Sequence, residues 1–282
     1  MVSSAPALDK IYVGEQFSIH YRRAGRVHWT NDARPAYAAL FLLGGAFVWQ
    51  PSGEEAREAE TAAVLLSMPG QAVSVRGTNA ELLSVTLSPA YLLEYAVRAR
   101  LTRADALITF PSHLLTGDSR LQRLARELSD ELIEEAAGQE LVVRALVEQG
   151  MVHLLRRYAG VRRSAEIELS RVGLVDRRVR RAVELMHAQL QRELPLEELA
   201  AAAYLSPFHF ARLFKKVTGV TPHAYLAALR IEQAQRLLAT TDLSITEIGA
   251  RVGYSSSSHF GKAFRQATDL TPRNFRAALV TR

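Results

Sequence analysis

Cysteine is absent from all 282 residues. That excludes disulfide staples, thiolate metal ligands and a cysteine nucleophile. No run of eighteen apolar residues occurs, so the sequence offers no transmembrane helix and no membrane partner. The opening MVSSAPALDKIYVGE lacks a charged stretch followed by an apolar one, so no signal peptide is expected. Histidine is sparse where a metal would need it. The strand-rich N-terminal region holds His20 and His28, in no His-x-His arrangement and with no acid at matching spacing. P-loop, Gly-x-Ser-x-Gly and His-Glu-x-x-His patterns are missing as well. These absences lead us to expect a cytoplasmic, non-enzymatic protein without metal or cofactor. A small-molecule-binding or metal-dependent enzyme carrying a helical tail is the alternative from another class.

What is present is a repeat. SPFHFARLFKKVTGVTP, Ser206 to Pro222, recurs fifty positions on as SSSHFGKAFRQATDLTP, Ser256 to Pro272. Ser206, His209, Phe210, Phe214, Thr218, Thr221 and Pro222 fall on Ser256, His259, Phe260, Phe264, Thr268, Thr271 and Pro272, and Tyr225 falls on Phe275. A short apolar helix precedes each copy, Leu196 to Tyr204 and Ile245 to Gly253, followed by a tight turn. Ser206 and Ser256 suit the N-cap, where a serine oxygen accepts from first-turn N–H groups. Phe210 and Phe214 share one helix face, as do Phe260 and Phe264, and we expect them in the core. Arg212, Lys215 and Lys216 lie off that face, as do Lys262 and Arg265. A short helix, a turn and a second helix with aromatics inward and cations outward is a helix-turn-helix. Two occur here, spanning residues 196–218 and 245–268.

Between them the sequence predicts one helix from about Thr221 to Ala239. Nineteen residues make roughly 28 Å of helix. With flanking turns the two second helices would stand about 34 Å apart, one turn of B-DNA. Charge agrees with this reading. Residues 161–282 hold 19 Lys and Arg against 11 Asp and Glu, whereas the rest of the chain holds 16 against 18. A basic domain on a near-neutral partner is the electrostatic footprint of phosphate binding.

The N-terminal part has a β texture. Ile11, Val13, Phe17, Ile19 and Tyr21 alternate as along one strand, interrupted by Glu15. Tyr37 to Gln50 is apolar and broken at Gly44-Gly45, where a hairpin or bend is expected. Residues 62–77 read as strand, Met-Pro-Gly turn, strand, and residues 81–87 as one more. Many short strands suggest a small sandwich or barrel. Ser88-Pro89 opens a short helix to about Arg98. Asp118 caps a helix carrying Leu121, Leu124, Leu128 and Leu132. Gly138 breaks it before a second helix carrying Leu141, Ala145, Met151, Leu154, Leu155 and Tyr158. This helical hairpin covers the barrel, forms a dimer interface, or does both. Residues 161–174 read as a polar linker. Asp176 then caps a helix with Val179, Val183, Met186 and Leu190 buried and with Arg177, Arg178, Arg180 and Arg181 on a solvated face, or one that grazes phosphate.

The last hundred residues resemble the DNA-binding domain of AraC/XylS-type bacterial transcription regulators, most clearly in ITEIGARVGYSSSSHFGKAFRQATDLTPRNFR, Ile245 to Arg276. The strand-rich half is more loosely similar to that family's sensor barrel. The missing cysteine separates the chain from DNA-repair methyltransferases with a similar DNA-binding domain. The resemblance implies an α+β, two-domain fold: a cupin-like β-barrel over residues 1–113, a dimerising helical hairpin over 114–160, the linker over 161–174, and an all-α double helix-turn-helix over 175–282. It implies double-stranded DNA, RNA polymerase and a small-molecule effector as partners, a homodimer, and activation rather than repression or effector-independent binding.

Site residues follow. The start of a second helix faces base edges. That gives Phe208, Ala211 and Arg212 in the first unit and Ser257, Ser258 and Lys262 in the second, where Gly261 has no side chain to read with. Lys215, Lys216 and Arg265, with Ser206, His209, Ser256 and His259, are assigned to phosphate. For the effector, the candidates are Arg22, Arg23 and Arg26 of YRRAGR, otherwise a solvated turn, and Trp29 and Trp49, otherwise core; Phe47 is a third large aromatic there.

Overall fold

A computed structural model describes residues 7–32, 35–51, 53–102, 107–162 and 177–280. Residues 163–176, which include most of the expected linker and the Asp176 cap, lie outside the described residues.

The N-terminal half is built on one antiparallel sheet. Its strands are β1 (Leu8–Val13), β2 (Phe17–Asp32), β3 (Tyr37–Pro51), β4 (Arg57–Ala59), β5 (Val64–Ser67), β6 (Ala72–Leu87) and, after the helix α1 (Pro89–Arg98) and a short strand β7 (Leu107–Thr109), β8 (Leu114–Leu115). Hydrogen bonding runs in the order β1-β2-β6-β3-β5-β8, with β4 beside β3. The sheet is open among the described residues: the path ends at β1 and at β8, so the barrel expectation is corrected to an unclosed sheet. Both faces are nevertheless covered. Tyr21, Phe41, Leu83 and Val85 pack toward the helices, whereas Leu40, Leu42, Trp49, Val75 and Leu82 form a second core on the other face.

Three local readings are corrected. Ile11 to Tyr21 is a hairpin, with the Gly14 N–H donating to the Phe17 carbonyl at 2.9 Å and β1 antiparallel to β2. The alternation concealed this because the apolar residues stay on odd positions through the turn, although the register, with Ile11 opposite His20, turns Ile11 and Val13 to the other face from Phe17, Ile19 and Tyr21. Of the hairpin or bend expected at Gly44-Gly45, the hairpin is ruled out and the bend holds: the pair makes a bulge inside β3, with β6 paired to β3 on both sides of it. Gly45, at φ +104°, passes so close to β6 that a Cβ there would stand 2.5 Å from the Asn79 carbonyl oxygen. YRRAGR is neither turn nor cluster; it lies inside β2, where successive side chains point to opposite faces.

The helical hairpin is α2 (Ser119–Glu134) and α3 (Gln139–Tyr158), and it shares the core of the sheet. Asp118 caps α2 as expected, accepting from the Arg120 and Leu121 N–H groups at 3.0 and 3.1 Å. Leu121, Leu124, Leu128 and Leu132 are buried. On α3 the buried stripe is Val143, Val147, Met151, Leu154 and Leu155. Leu141 (75% exposed) and Ala145 were expected there but fall off it, because the stripe's spacing of four and three places them on the outer face. The chain then pairs β9 (Gly160–Arg162) with β7.

The C-terminal half is helical: α4 (Arg177–Ala188), α5 (Leu196–Ala202), α6 (Pro207–Thr218), α7 (Pro222–Thr240), α8 (Ile245–Arg251), α9 (Ser257–Thr268) and α10 (Pro272–Ala277). α7 is the expected central helix. The halves are docked on each other. Ile11 of β1 donates to the Ala278 carbonyl at 2.8 Å and accepts from the Val280 N–H at 2.9 Å, and Ile11 and Val13 complete the core around Phe260, Phe264 and Phe275. Elsewhere, Gly70 of the β5–β6 turn abuts Gly219 at the end of α6.

Candidate nucleic-acid interface

Each unit is assembled by the same contacts. Ser206 caps α6 and Ser256 caps α9, each accepting from the N–H three residues on. Phe210 and Phe214 are fully buried with ring centroids 5.4 Å apart, and Phe260 and Phe264 are fully buried at 5.7 Å. The second phenylalanine meets an aromatic from the next helix edge-on: Phe214 with Tyr225 at 5.3 Å, Phe264 with Phe275 at 5.2 Å. The Thr218 hydroxyl bonds the Phe214 carbonyl at 2.9 Å, and Thr268 bonds that of Phe264 at 2.8 Å. Thr221 and Thr271 cap the helices that follow, each with proline at the first helical position. Buried rings thereby fix the orientation of α6 and α9 against the shorter helices α5 and α8.

The cation-bearing faces remain outward. Ser206, Phe208, His209, Arg212, Lys215 and Lys216 are exposed on α6, and Ala211 is half-buried. Phe208 is 73% exposed, with the Arg212 guanidinium 6.0 Å from its ring centroid, so both side chains share one projecting patch. On α9, Ser256, Ser257, Ser258, His259, Lys262 and Arg265 are exposed. Ser257 is engaged at long range with Thr246 of α8, at 3.5 Å, and the His259 ring packs 5.5 Å from Tyr254. The structure therefore gathers the expected contact residues of each unit at one outer helix face.

It does not gather the expected effector residues. Arg22 is held by Asp9 at 2.6 Å. The same carboxylate takes a hydrogen bond from His20 at 2.8 Å. Burial raises the Asp9 pKa, but the bonds from His20 and Arg22 outweigh it and leave it below the usual carboxylate value. For His20, burial depresses the pKa, against the Asp9 bond. Arg22 and Trp29 line a small cavity of about 50 Å³ reached by Asp269, Arg26 lines an outer groove, Arg23 is exposed, and Trp49 is buried, its indole N–H without a hydrogen-bond partner among the described residues.

Sequence reasoning missed the contacts of three residues of the DNA-side domain. Arg230 of α7 donates to the Leu190 and Arg192 carbonyls at 3.0 and 2.7 Å and sits over the Tyr254 ring, tying the first unit to the second. Its partners are carbonyls some forty residues away, which leave no mark in a pattern. Tyr204 and Arg181 meet at the first turn, with the guanidinium 4.9 Å from the ring centroid.

Two helix-turn-helix units joined by one central helix define the class of the C-terminal half: a double-headed DNA-binding domain. Residues 199–278 match the family model described as a helix-turn-helix domain. Over this half the chain is similar to HTH-type transcriptional regulators, in keeping with the AraC/XylS-type resemblance of its sequence. It is 38% identical over 78 residues to the regulatory protein PocR of Salmonella typhimurium, covering 28% of this chain and 26% of that one. It is 30% identical over 156 residues to the HTH-type transcriptional regulator MtrA of Neisseria gonorrhoeae, covering 54% of this chain and 51% of that one. These matches thus span about a quarter to a half of the relatives' own length. Among solved structures, ToxT of Vibrio cholerae has the same overall fold, with a TM-score of 0.60 at 14% identity over 95% of this chain and 100% of that one.

Proposed function

We propose that this protein is a sequence-specific DNA-binding transcription regulator. The observation that carries the reading is the duplication: two recognition helices, each held by a buried phenylalanine pair, each presenting serine, arginine or lysine outward from the same positions. Phe208, Ala211, Arg212, Ser257, Ser258 and Lys262 read bases, while Ser206, His209, Lys215, Lys216, Ser256, His259 and Arg265 hold the backbone. The test is selection of binding sites from a random duplex pool by the full chain. Two separated half-sites about one helical turn apart support the reading, and failure to enrich any sequence ends it.

The N-terminal sheet is, in this reading, a cupin-like sensor, with an effector reaching both halves. Its support is a cavity of about 300 Å³ between the Gly14–Phe17 turn and α7, lined by Gln16, Ala227, Ile231, Gln235 and Ala263 among others. Ile133, Leu141 and Val142 are exposed apolar residues on the α2–α3 hairpin, which supports a homodimer formed there. Contact with RNA polymerase, and hence activation, rests on the family resemblance, as does a cytoplasmic, non-enzymatic role. A reporter carrying the adjacent promoter, assayed with and without the gene, separates activator from repressor.

A further inference from the structure

Tyr204 occupies a backbone position that in the second unit belongs to glycine. The turn after α5 is closed by Leu205 N–H to the Ala200 carbonyl at 3.0 Å and Tyr204 N–H to Ala201 at 2.9 Å. The turn after α8 is closed by Tyr254 N–H to Gly249 at 2.9 Å and Gly253 N–H to Ala250 at 3.1 Å. Tyr204 therefore corresponds to Gly253, and both are left-handed, at φ +56° and +87°. Glycine adopts this conformation without steric conflict, whereas an aromatic residue is strained in it.

The strain is not offset by burial. Tyr204 is 78% exposed, so its ring adds little to the core. Arg181, reaching from α4, lies 4.9 Å from the ring centroid. A cation over an aromatic face is attracted to it, and each group restricts the other. The pair is thus an arginine and a tyrosine hydroxyl held ready at the surface by a strained turn. Its location gives it a partner. Tyr204 precedes the α6 cap Ser206 by two residues, at most about 7 Å of chain. In a helix-turn-helix the recognition helix enters the major groove by its N-terminal end, so the turn before it stands at the groove's rim, beside a phosphate strand. Tyrosine and arginine are both habitual phosphate ligands.

We propose that Tyr204 and Arg181 form a phosphate clamp specific to the first helix-turn-helix, outside its recognition helix. This rests on the DNA-binding reading above. The second unit has no counterpart: Gly253 has no side chain, and Tyr254 turns inward beneath Arg230 and against Phe260. Strain kept at an exposed residue is accounted for by a contact the free protein does not make.

The test compares wild type, Tyr204→Gly and Arg181→Ala as full chains, measuring melting temperature and affinity for the selected duplex and a scrambled one across a salt series. Tyr204→Gly relieves the strain, so it is expected to melt no lower than wild type yet bind both duplexes about three- to tenfold more weakly. Arg181→Ala is expected to weaken both equally and to reduce the salt slope by about one. Wild-type affinity for both duplexes in Tyr204→Gly overturns the clamp, as does impaired transcription with unimpaired DNA binding, which would make the pair a protein-contact surface. A wild-type chain that binds neither duplex overturns the DNA-binding reading itself.

Discussion

Gly70 and Gly219 touch through their backbones: a Cβ on Gly70 would stand 2.5 Å from the Gly219 Cα. Both residues are left-handed, at φ +82° and +81°. The Met68–Gln71 turn of the sheet and the C-cap of the first recognition helix are therefore docked with no room for a side chain. Gly70→Ala must displace one of them. Gly53 is the control, since it is also left-handed at φ +79° but has no atom of the described residues within 4 Å of its Cβ position. Gly53→Ala should lower stability by about 1 kcal/mol from conformation alone. Gly70→Ala should lower it clearly further and raise protease sensitivity between the halves. Equal losses in thermal unfolding would show that the close approach is not part of the folded state in solution.

The second unit borrows part of its core from the sheet. Ile11 is 1% exposed and Val13 6%, and both lie among Ile231, Phe264 and Phe275 rather than in the sheet's own core. A fragment spanning residues 177–282 is expected to fold, because the Phe210–Phe214 pair is enclosed by helices of that half and the Phe260–Phe264 pair mostly so. It should nonetheless melt below the full chain. Ile11→Ala in the full chain should destabilise by about 2–4 kcal/mol, the usual range for emptying a buried aliphatic site. A loss of only a few tenths by chemical denaturation would mean that the halves separate freely in solution.

Asp118 gathers the helical hairpin. Besides capping α2 it accepts from the Tyr158 hydroxyl at 2.6 Å and the His153 ring at 2.8 Å, both on α3. Burial alone raises its pKa, but these bonds and the Leu121 N–H hold it down, to about 2 against an ordinary 3.8. Its folded pKa is depressed, so the stability it supplies is complete above the ordinary value and is lost as pH falls through about 2. Between pH 5 and pH 2, unfolding free energy should fall more steeply for wild type than for Asp118→Asn. Asp118→Ala at neutral pH should lose about 2–4 kcal/mol, combining a lost cap with stranded partners. Parallel pH curves for wild type and Asp118→Asn would assign the low-pH loss to other carboxylates.

Elements governed by local chemistry were legible in the sequence. The serine and threonine caps, the proline after each threonine and the paired phenylalanines bond or pack within a few residues, and their repeat at fifty positions reproduced the geometry of α6 and α9. The same shift fails for the helices before them, where α5 starts at residue 196 and α8 at 245, forty-nine apart. One turn is a residue shorter, so Tyr204 aligns with Tyr254 in sequence but with Gly253 in conformation. The sheet was harder to read because long-range pairing decided it: β6 runs unbroken from Ala72 to Leu87 and carries β3 across its glycine pair. Docking of the halves through Ile11 and Gly70 was invisible, since an apolar strand residue and a turn glycine look the same whether or not a second domain covers them.

The two recognition helices should contribute unequally to sequence choice. On α6, Arg212 projects beside the exposed Phe208 ring, 6.0 Å away, so a long cation and an apolar surface are offered together. Arginine pairs bidentately with guanine, and an aromatic edge can meet a thymine methyl. On α9 the corresponding positions are Ser258, Gly261 and Lys262, and Ser257 faces Thr246 of its own domain. Serine donates or accepts with several bases and discriminates weakly. Arg212→Ala should therefore weaken binding to the best site by roughly 1–3 kcal/mol and relax one base position, whereas Ser257→Ala should weaken it less. Lys215→Ala, at the far end of α6, should weaken all sequences alike and reduce the salt slope by about one. Site selection with each variant measures this directly. An unchanged sequence logo for Arg212→Ala would place that side chain on phosphate, and a larger change for Ser257→Ala would reverse the order of the two heads.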